Sequence, residues 1–331
     1  MIRLTIAIPT FNRSKALSET VTNLMPQLTS DCKLLVVDNA SEIPASDVLN
    51  SILSTRQEIS FKVHRNRYNL GAAANIMRCF ELCETEWLWI LGDDDLPSSD
   101  AILKILSQVE EHPDCILHNF VCPQLRKDNR LEVRQKATET VGVEDFVSQL
   151  DHFSSIQFIS LNVYKAKFFP PFFSSGFEYA YSMHNFVAMI LMVLSNGERA
   201  CFTPKILVPD CGSLNKDWSR ISLVLTSCTL LELPLSNETR KCLAVKIRGT
   251  FFRLKTIATI LLDEINYKLR TKEEVQYIFN QICSRAYYYD TSTTFRFKIL
   301  IYKFLFRFPW FSVYLRRMPF IKKFIFNEKK Y

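Results

Sequence analysis

No apolar run in this 331-residue chain approaches the ~18 residues that a membrane-crossing helix requires; residues 186–194 make one of the longer runs, at half that length. Spanning a bilayer is therefore not expected. A secretory leader, with a cationic start and an apolar stretch, is also missing, as is any C-x-x-C among the ten cysteines. Most of those cysteines lie inside apolar runs, so they read as reduced core thiols of a cytosolic protein. There is no G-x-G-x-x-G and no Walker A sequence, which leaves neither a dinucleotide nor ATP indicated. Internal repeats and low-complexity segments are absent too.

What is present is the balance of a globular protein with a large core: 48% hydrophobic and 23% charged residues. At this length one large or two modest domains are expected. The net charge of +7 is unevenly spread. Residues 295–331 hold ten Lys/Arg and one Glu, a surplus of +9, so the remaining 294 residues sum to −2. A nearly neutral body argues against a nucleic-acid enzyme, whose working cleft is lined with Lys and Arg.

Strand and helix patterns alternate through the first 120 residues. Residues 2–8, 33–37, 59–63, 87–91 and 115–120 read as strands, with helices at 14–28, 72–83 and 101–111 between them. That alternation predicts a mostly parallel sheet with helices on both faces. Ligands of such sheets bind at the carboxyl ends of the strands. Further on, 124–140 reads as a polar connection, 145–150 as a short helix, 156–164 as a strand, 170–176 as an aromatic loop, 185–194 as a buried helix and 200–208 as a strand. Beyond residue 217 the pattern is helical, at 219–232, 238–264 and 271–287.

The strand ends carry polar groups in order: Pro9-Thr10-Phe11-Asn12-Arg13, then Asp38-Asn39-Ala40-Ser41, then Gly92-Asp93-Asp94-Asp95. Three adjacent carboxylates at the mouth of a crevice repel one another unless a divalent cation lies among them. A hard cation such as Mg²⁺ or Mn²⁺ takes one or two protein carboxylates and completes its shell with phosphate oxygens, so the implied ligand is a nucleotide diphosphate.

Together with Asn69-Leu70-Gly71 and Asn75, and with the run Trp87-Leu88-Trp89-Ile90-Leu91 ahead of the triplet, these motifs resemble the family 2 glycosyltransferases of GT-A fold. The resemblance covers roughly residues 3–120 and implies a Rossmann-like, mostly parallel α/β sheet followed by a helical C-terminal region. It divides the chain into a GT-A domain at 1–215 (nucleotide-sugar half 1–120, acceptor half 121–215), a helical region at 216–294 and a tail at 295–331. By the same resemblance, Pro9, Thr10, Asn12, Arg13, Asp38, Asn39, Gly71, Asn75 and Asp93 would bind the nucleotide sugar, and Asp93, Asp94 and Asp95 the metal. Asn39 falls where many members carry an Asp that pairs with uracil. An amide can serve an imide or a cytosine, so UDP, dTDP and CDP sugars all remain open.

Such enzymes need a general base for the acceptor hydroxyl, in the family usually the Asp of a Glu-Asp pair at a helix start. Counting back from Gly197-Glu198-Arg199, that pair should fall near 184–186, where this chain has His184-Asn185-Phe186. His184 is the natural substitute, with Glu178 and Asp217 in reserve. No Gln-x-x-Arg-Trp occurs, which in this family implies one sugar per encounter. The loop at 9–13 contains no glycine, against a nucleotidyltransferase.

Thirteen of the 37 residues from Phe295 to the end are aromatic and alternate with Lys/Arg, the composition of an interfacial helix on an anionic bilayer. Two short helices broken at Pro309 and Pro319 are expected there. The whole reading is a non-processive, inverting glycosyltransferase on the cytoplasmic face of the inner membrane, extending an undecaprenyl-diphosphate-linked oligosaccharide of a surface polysaccharide such as O antigen. The Gly92–Asp95 variant and the segment of Tyr179, Tyr181 and His184 resemble the subgroup holding abequosyltransferases and similar deoxysugar transferases; a rhamnosyl- or hexosyltransferase, or a non-catalytic sugar-nucleotide-binding protein, are the alternatives.

Overall fold

The computed structural model describes residues 3–53, 60–129, 132–209, 220–249, 254–288 and 293–318. The chain divides into two compact units, Met1–Asn215 and Lys216–Tyr331.

The first unit is built on strands β1 (Leu4–Thr10), β2 (Cys32–Asp38), β3 (Ser60–Arg65), β4 (Trp87–Ile90), β5 (Cys115–Val121), β6 (Thr138–Val141), β7 (Asn162–Lys165) and β8 (Arg199–Ile206). They form one sheet in the order β3-β2-β1-β4-β7-β5-β8-β6. β7 runs antiparallel to β4 and β5, β6 runs antiparallel to β8, and the other pairs are parallel. β1 has β2 on one side and β4 on the other. The strand order reverses there, and at such a switch point the loops after two neighbouring strands part to leave a crevice.

Helices α1 (Ser14–Leu24), α2 (Ala45–Leu53) and α4 (Ala101–Glu111) cover one face. Their Leu17, Val21, Leu24, Leu49, Ile102 and Ile105 pack against Leu4, Ile6, Ile8, Leu34, Val36 and Trp89, the alternate residues of the strands. The other face takes α3 (Ala72–Glu81), whose Phe80 ring lies 4.9 Å from that of Tyr164 on β7 and 5.3 Å from Phe169. Outside these lie α5 (Pro123–Asn129), α6 (Gly142–Gln149), α7 (Phe153–Gln157), α8 (Phe173–Glu178) and α9 (Asn185–Leu194).

Several sequence readings change here. The stretch 156–164 reads as one strand, yet α7 and a 3-10 turn at Ile159–Leu161 occupy most of it, leaving only the four residues of β7. Its apolar residues are buried in either conformation, so periodicity cannot separate the two. The aromatic loop at 170–176 is a 3-10 turn running into α8, the polar connection contains α5, and the helix at 238–264 is two helices. Arg13 occupies the cap position of α1, with no side-chain capping bond.

The second unit is helical: α10 (Arg220–Ser227), α11 (Asn237–Ile247), α12 (Leu254–Asn266), α13 (Lys272–Ala286), α14 (Thr293–Arg307) and α15 (Pro309–Leu315). Thr271 and Glu274 close a reciprocal capping box on α13. The core includes Phe279, with its ring 4.9 Å from Phe306 and 6.1 Å from Tyr302. Pro309 separates α14 from α15, the break the sequence predicts; Pro319 lies outside the described residues. Among the described residues no helix is long and apolar enough to cross a membrane.

Candidate active site

At the carboxyl ends of β1 and β4, hydrogen bonds hold the acidic turn in place. Thr10 Oγ1, at the last position of β1, donates to Asp93 Oδ2 at 2.7 Å. Thr20 Oγ1 on α1 donates to the Asp93 carbonyl at 2.9 Å, which holds the turn against that helix. Burial pushes the Asp93 carboxyl up to about 6, against the opposing pull of the Thr10 hydroxyl and the Arg13 charge.

The triplet splits by its partners. Asp93 and Asp94 share one positive centre: Arg13 Nη1 lies 3.4 Å from Asp93 Oδ1 and 2.5 Å from Asp94 Oδ2. The Asp94 side chain is 56% exposed. Asp95 turns the other way, and its Oδ2 accepts the Ser160 hydroxyl at 2.5 Å while the same hydroxyl oxygen accepts the Gly92 N–H at 2.9 Å. The three carboxylates therefore do not converge as one ligand set, and among the described residues no three His, Cys, Asp or Glu side chains gather as a metal cluster. A hard cation needs only one or two carboxylates when phosphate oxygens supply the rest. The Arg13 guanidinium shows that a cation is accommodated between Asp93 and Asp94, so this pair fits a divalent ion and Asp95 supports the turn beneath it.

The end of β2 is likewise sorted into a rim and a foundation. Asp38 is fully buried; its carboxylate accepts the N–H groups of Ser41 (2.8 Å) and Ala45 (3.2 Å) and Nη1 of Arg65 (2.5 Å). Burial works to raise its pKa, but these donors outweigh it and hold the group below the usual carboxylate range. Asn39 is 2% exposed and its amide is fully committed. Its Oδ1 accepts from Asn66 Nδ2 (3.0 Å) and the Leu70 N–H (2.9 Å), and its Nδ2 donates to Asn69 Oδ1 (2.7 Å) and the Gly71 carbonyl (3.4 Å). Two donors and two acceptor sites are all that an amide has. Asn75 continues the network, accepting from Asn66 (2.8 Å) and donating to the Val37 carbonyl (2.9 Å). Asp38, Asn39 and Asn75, expected at the nucleotide sugar, tie the loop at 66–71 to the end of β2.

Other predicted residues stand at the rim. Pro9 is partly buried in β1. Asn12 is exposed, adopts a left-handed φ of 53°, and bridges two loops by accepting the Glu42 N–H at 2.7 Å while its own N–H donates to Ser41 Oγ at 2.9 Å. Ala40 is also left-handed, φ 65°, a conformation that costs a residue with a Cβ roughly 1 kcal/mol. Gly71 has φ 82°, caps α3, and has no atom within 4 Å of where a Cβ would stand, so the backbone there is open to close approach.

His184 is not placed as a base. It is 0% exposed, its Nδ1–H donates to the Ser182 carbonyl at 2.6 Å, and Nε2 lies 2.7 Å from Gln157 Nε2, which donates to it. Burial pushes its pKa down to about 4, with the Ser182 carbonyl partly opposing. Both nitrogens serve to hold the start of α9, where Asn185 Nδ2 also donates to the Ala73 carbonyl at 2.8 Å. Glu178 is exposed at the end of α8, a helix that packs on α3 through Gly176 against Met77. Asp217 lies outside the described residues.

Ser160, Arg65 and Asn66 are not singled out by the sequence, whereas Asn69 belongs to the Asn69-Leu70-Gly71 motif. Asn66 and Asn69 follow a strand end, where the strand-end rule applies; Ser160 is hidden in a stretch that reads as strand.

Residues 5–162 match the family model Glycosyl transferase family 2. The abequosyltransferase RfbV of Salmonella typhimurium is 25% identical over 118 residues, 34% of this chain and 34% of that protein. A GalNAc(5)-diNAcBac-PP-undecaprenol beta-1,3-glucosyltransferase of Campylobacter jejuni is 24% identical over 111 residues, 34% of this chain and 36% of its own. The matched stretch thus spans about a third of the length of these curated relatives. Among solved structures, S. aureus TarS 1–349 in complex with UDP-GlcNAc superposes with a TM-score of 0.57 at 12% identity, over 85% of this chain and 88% of that one. The mannosyltransferase PcManGT of Pyrobaculum calidifontis, in complex with GDP-Man and Mn²⁺, gives 0.55 at 13% identity, over 98% and 83%. With the sheet order and the matched segment in agreement, residues 5–162 form a domain that matches the family 2 glycosyltransferases, and the fold is the GT-A fold of the solved glycosyltransferases.

Proposed function

We propose that the protein is a non-processive glycosyltransferase that moves one sugar from a nucleoside-diphosphate sugar to a lipid-linked oligosaccharide of a bacterial surface polysaccharide, at the cytoplasmic face of the inner membrane. The observation that carries this reading is the cluster of Thr10, Asp93, Arg13 and Asp94 at the β1/β4 switch point: two carboxylates around one positive centre at the strand ends. The name of the Campylobacter jejuni relative, with its PP-undecaprenol acceptor, supports the acceptor class, and that of the abequosyltransferase supports the sugar class.

Asp94 with Asp93 would hold a divalent cation, Mn²⁺ or Mg²⁺, which when bound supplies neutralising charge for the leaving diphosphate. Arg13 then turns from the carboxylates to the diphosphate oxygens, keeping a positive charge where negative charge develops. Gly71 lets the backbone approach the sugar nucleotide, and Asn12 and Asp93 border its nucleoside. The acceptor hydroxyl oxygen attacks the anomeric carbon, the bond from that carbon to the diphosphate oxygen breaks with inversion, and Glu178 takes the hydroxyl proton. A deoxysugar such as abequose is the proposed cargo, with rhamnose or a hexose as the near rivals.

The test is calorimetric uptake of UDP, dTDP and CDP sugars with Mn²⁺, followed by transfer to lipid-linked acceptors, for the wild type, Asp94→Asn and Glu178→Gln. Expected are Mn²⁺-dependent binding that Asp94→Asn abolishes, and turnover that Glu178→Gln abolishes while binding persists. Absence of Mn²⁺-dependent uptake of any donor overturns the proposal. Donor binding without turnover in the wild type favours the non-catalytic reading, for which the buried His184 speaks.

A further inference from the structure

The tail resolves into two faces with different fates. On α14 the residues Phe295, Tyr302, Leu305 and Phe306 are buried in the helical unit. The opposite side exposes Phe297, Leu300 and Phe304, with Phe308 after the helix end, and α15 adds Trp310, Val313 and Tyr314. Steps of three and four residues keep 297, 300, 304 and 308 on one stripe of a helix. Arg296, Lys303 and Arg307, all exposed, form a second stripe beside it by the same spacing. Residues 293–318 contain six Lys/Arg and neither Asp nor Glu.

A contiguous apolar face of this size marks an interaction surface, and its composition selects the partner. Rings and aliphatic groups interleaved with cations of one sign match a layer whose outside is anionic phosphate and whose inside is hydrocarbon. A second copy of the same face would set its cations against each other. Aliphatic Leu300 and Val313 offer nothing to a nucleic-acid base, which stacks on π faces. α14 has 15 residues, about 22 Å of helix, and a cationic stripe along it, so it cannot cross a hydrocarbon core of ~30 Å and lies in the plane of the surface.

We infer that the outward face of α14 and α15 docks on the headgroup layer of an anionic bilayer, with Phe297, Phe304 and Trp310 in the acyl boundary and Arg296, Lys303 and Arg307 on lipid phosphates. The inference deepens the proposed lipid-linked acceptor by naming the surface that meets the lipid.

The test is co-sedimentation of the full chain with vesicles of phosphatidylglycerol and phosphatidylcholine, or of phosphatidylcholine alone, at low and high salt. Two double variants accompany it: Phe304→Ser with Trp310→Ser, and Lys303→Glu with Arg307→Glu. All four positions are exposed, and thermal melts verify that the variants fold. The wild type should bind the anionic vesicles alone, lose binding at high salt, and show Trp fluorescence quenched by brominated lipid in a manner that Trp310→Ser removes. Each double variant should weaken binding by about tenfold or more. No wild-type binding to anionic vesicles, variants that bind like the wild type, or a dimer abolished by the variants in place of vesicle binding would each overturn it. Donor uptake measured without vesicles is a separate reading: a protein that takes up the donor and ignores lipid sinks this inference alone, and one that binds lipid and ignores every donor sinks the proposed activity alone.

Discussion

Changing Asn39 to Asp separates two roles for the end of β2. If this side chain read the donor base, the carboxylate would leave the fold intact and shift the base preference. The structure assigns its NH₂ to Asn69 Oδ1 at 2.7 Å and to the Gly71 carbonyl at 3.4 Å, at a position 2% exposed. An Asp there turns both contacts into oxygen facing oxygen, while the donors Asn66 and Leu70 keep their acceptor. Leaving buried polar groups unsatisfied costs ~1–3 kcal/mol each. With the longer contact counted at the low end, the loss is about 2–4 kcal/mol. At roughly 2–4 °C per kcal/mol for a domain of this size, the melting temperature should fall by about 5–15 °C. Circular dichroism melts, with calorimetric donor binding on the same samples, provide the measurement. A variant that melts with the wild type and exchanges one base for another would refute the reasoning, because it would show the amide free to face a ligand.

Three further outcomes follow from the same geometry. His184, held neutral with its pKa near 4 against an ordinary 6.5, is protonated more readily in the unfolded chain. Its stabilisation is complete above pH 6.5 and is lost as pH falls toward 4, by up to ~3 kcal/mol, so melts from pH 7 to 4.5 should steepen for the wild type relative to His184→Gln, which should also retain turnover. Gly92→Ala would place a Cβ 2.6 Å from Asp95 Oδ2, the atom that accepts the Ser160 hydroxyl, and should cost about 1–3 kcal/mol in melts and weaken donor binding. Gly176→Ala would meet Met77 Cε at 2.5 Å and Met189 Sδ at 2.8 Å; since both Met ends can swing, a loss of roughly 1–3 kcal/mol is expected, read by denaturant unfolding.

The first half of the unit at 1–215 was readable because its signals are local. Strands at Leu4–Thr10 and Cys32–Asp38 and the helix at Ala101–Glu111 follow from apolar periods within a dozen residues, and the site follows from where strands end. Over 156–161 the signals fail, since a residue buried on all sides looks alike in strand and helix, and they return with α9 and β8, which meet the helix read at 185–194 and the strand read at 200–208. The candidate site shows the same limit at atomic scale. Residue type announced carboxylates and amides at the strand ends, and Thr10, Asp93 and Asp94 do meet there. It was silent on which of them would be consumed by neighbours far along the chain: Asp38 by Arg65, Asp95 by Ser160, Asn39 by Asn66 and Asn69.

By itself the sequence determined the alternation of elements, the strand-end chemistry and the cationic, aromatic character of the tail, all properties of residues close together in the chain. Only the tertiary structure decided that β7 inserts antiparallel between β4 and β5, that His184 is sealed in the interior, and which half of the rings on α14 faces outward. Those outcomes depend on hydrogen-bond partners and burial supplied by segments tens of residues away, and a side chain's free lone pairs and solvent contact exist only once those segments have packed.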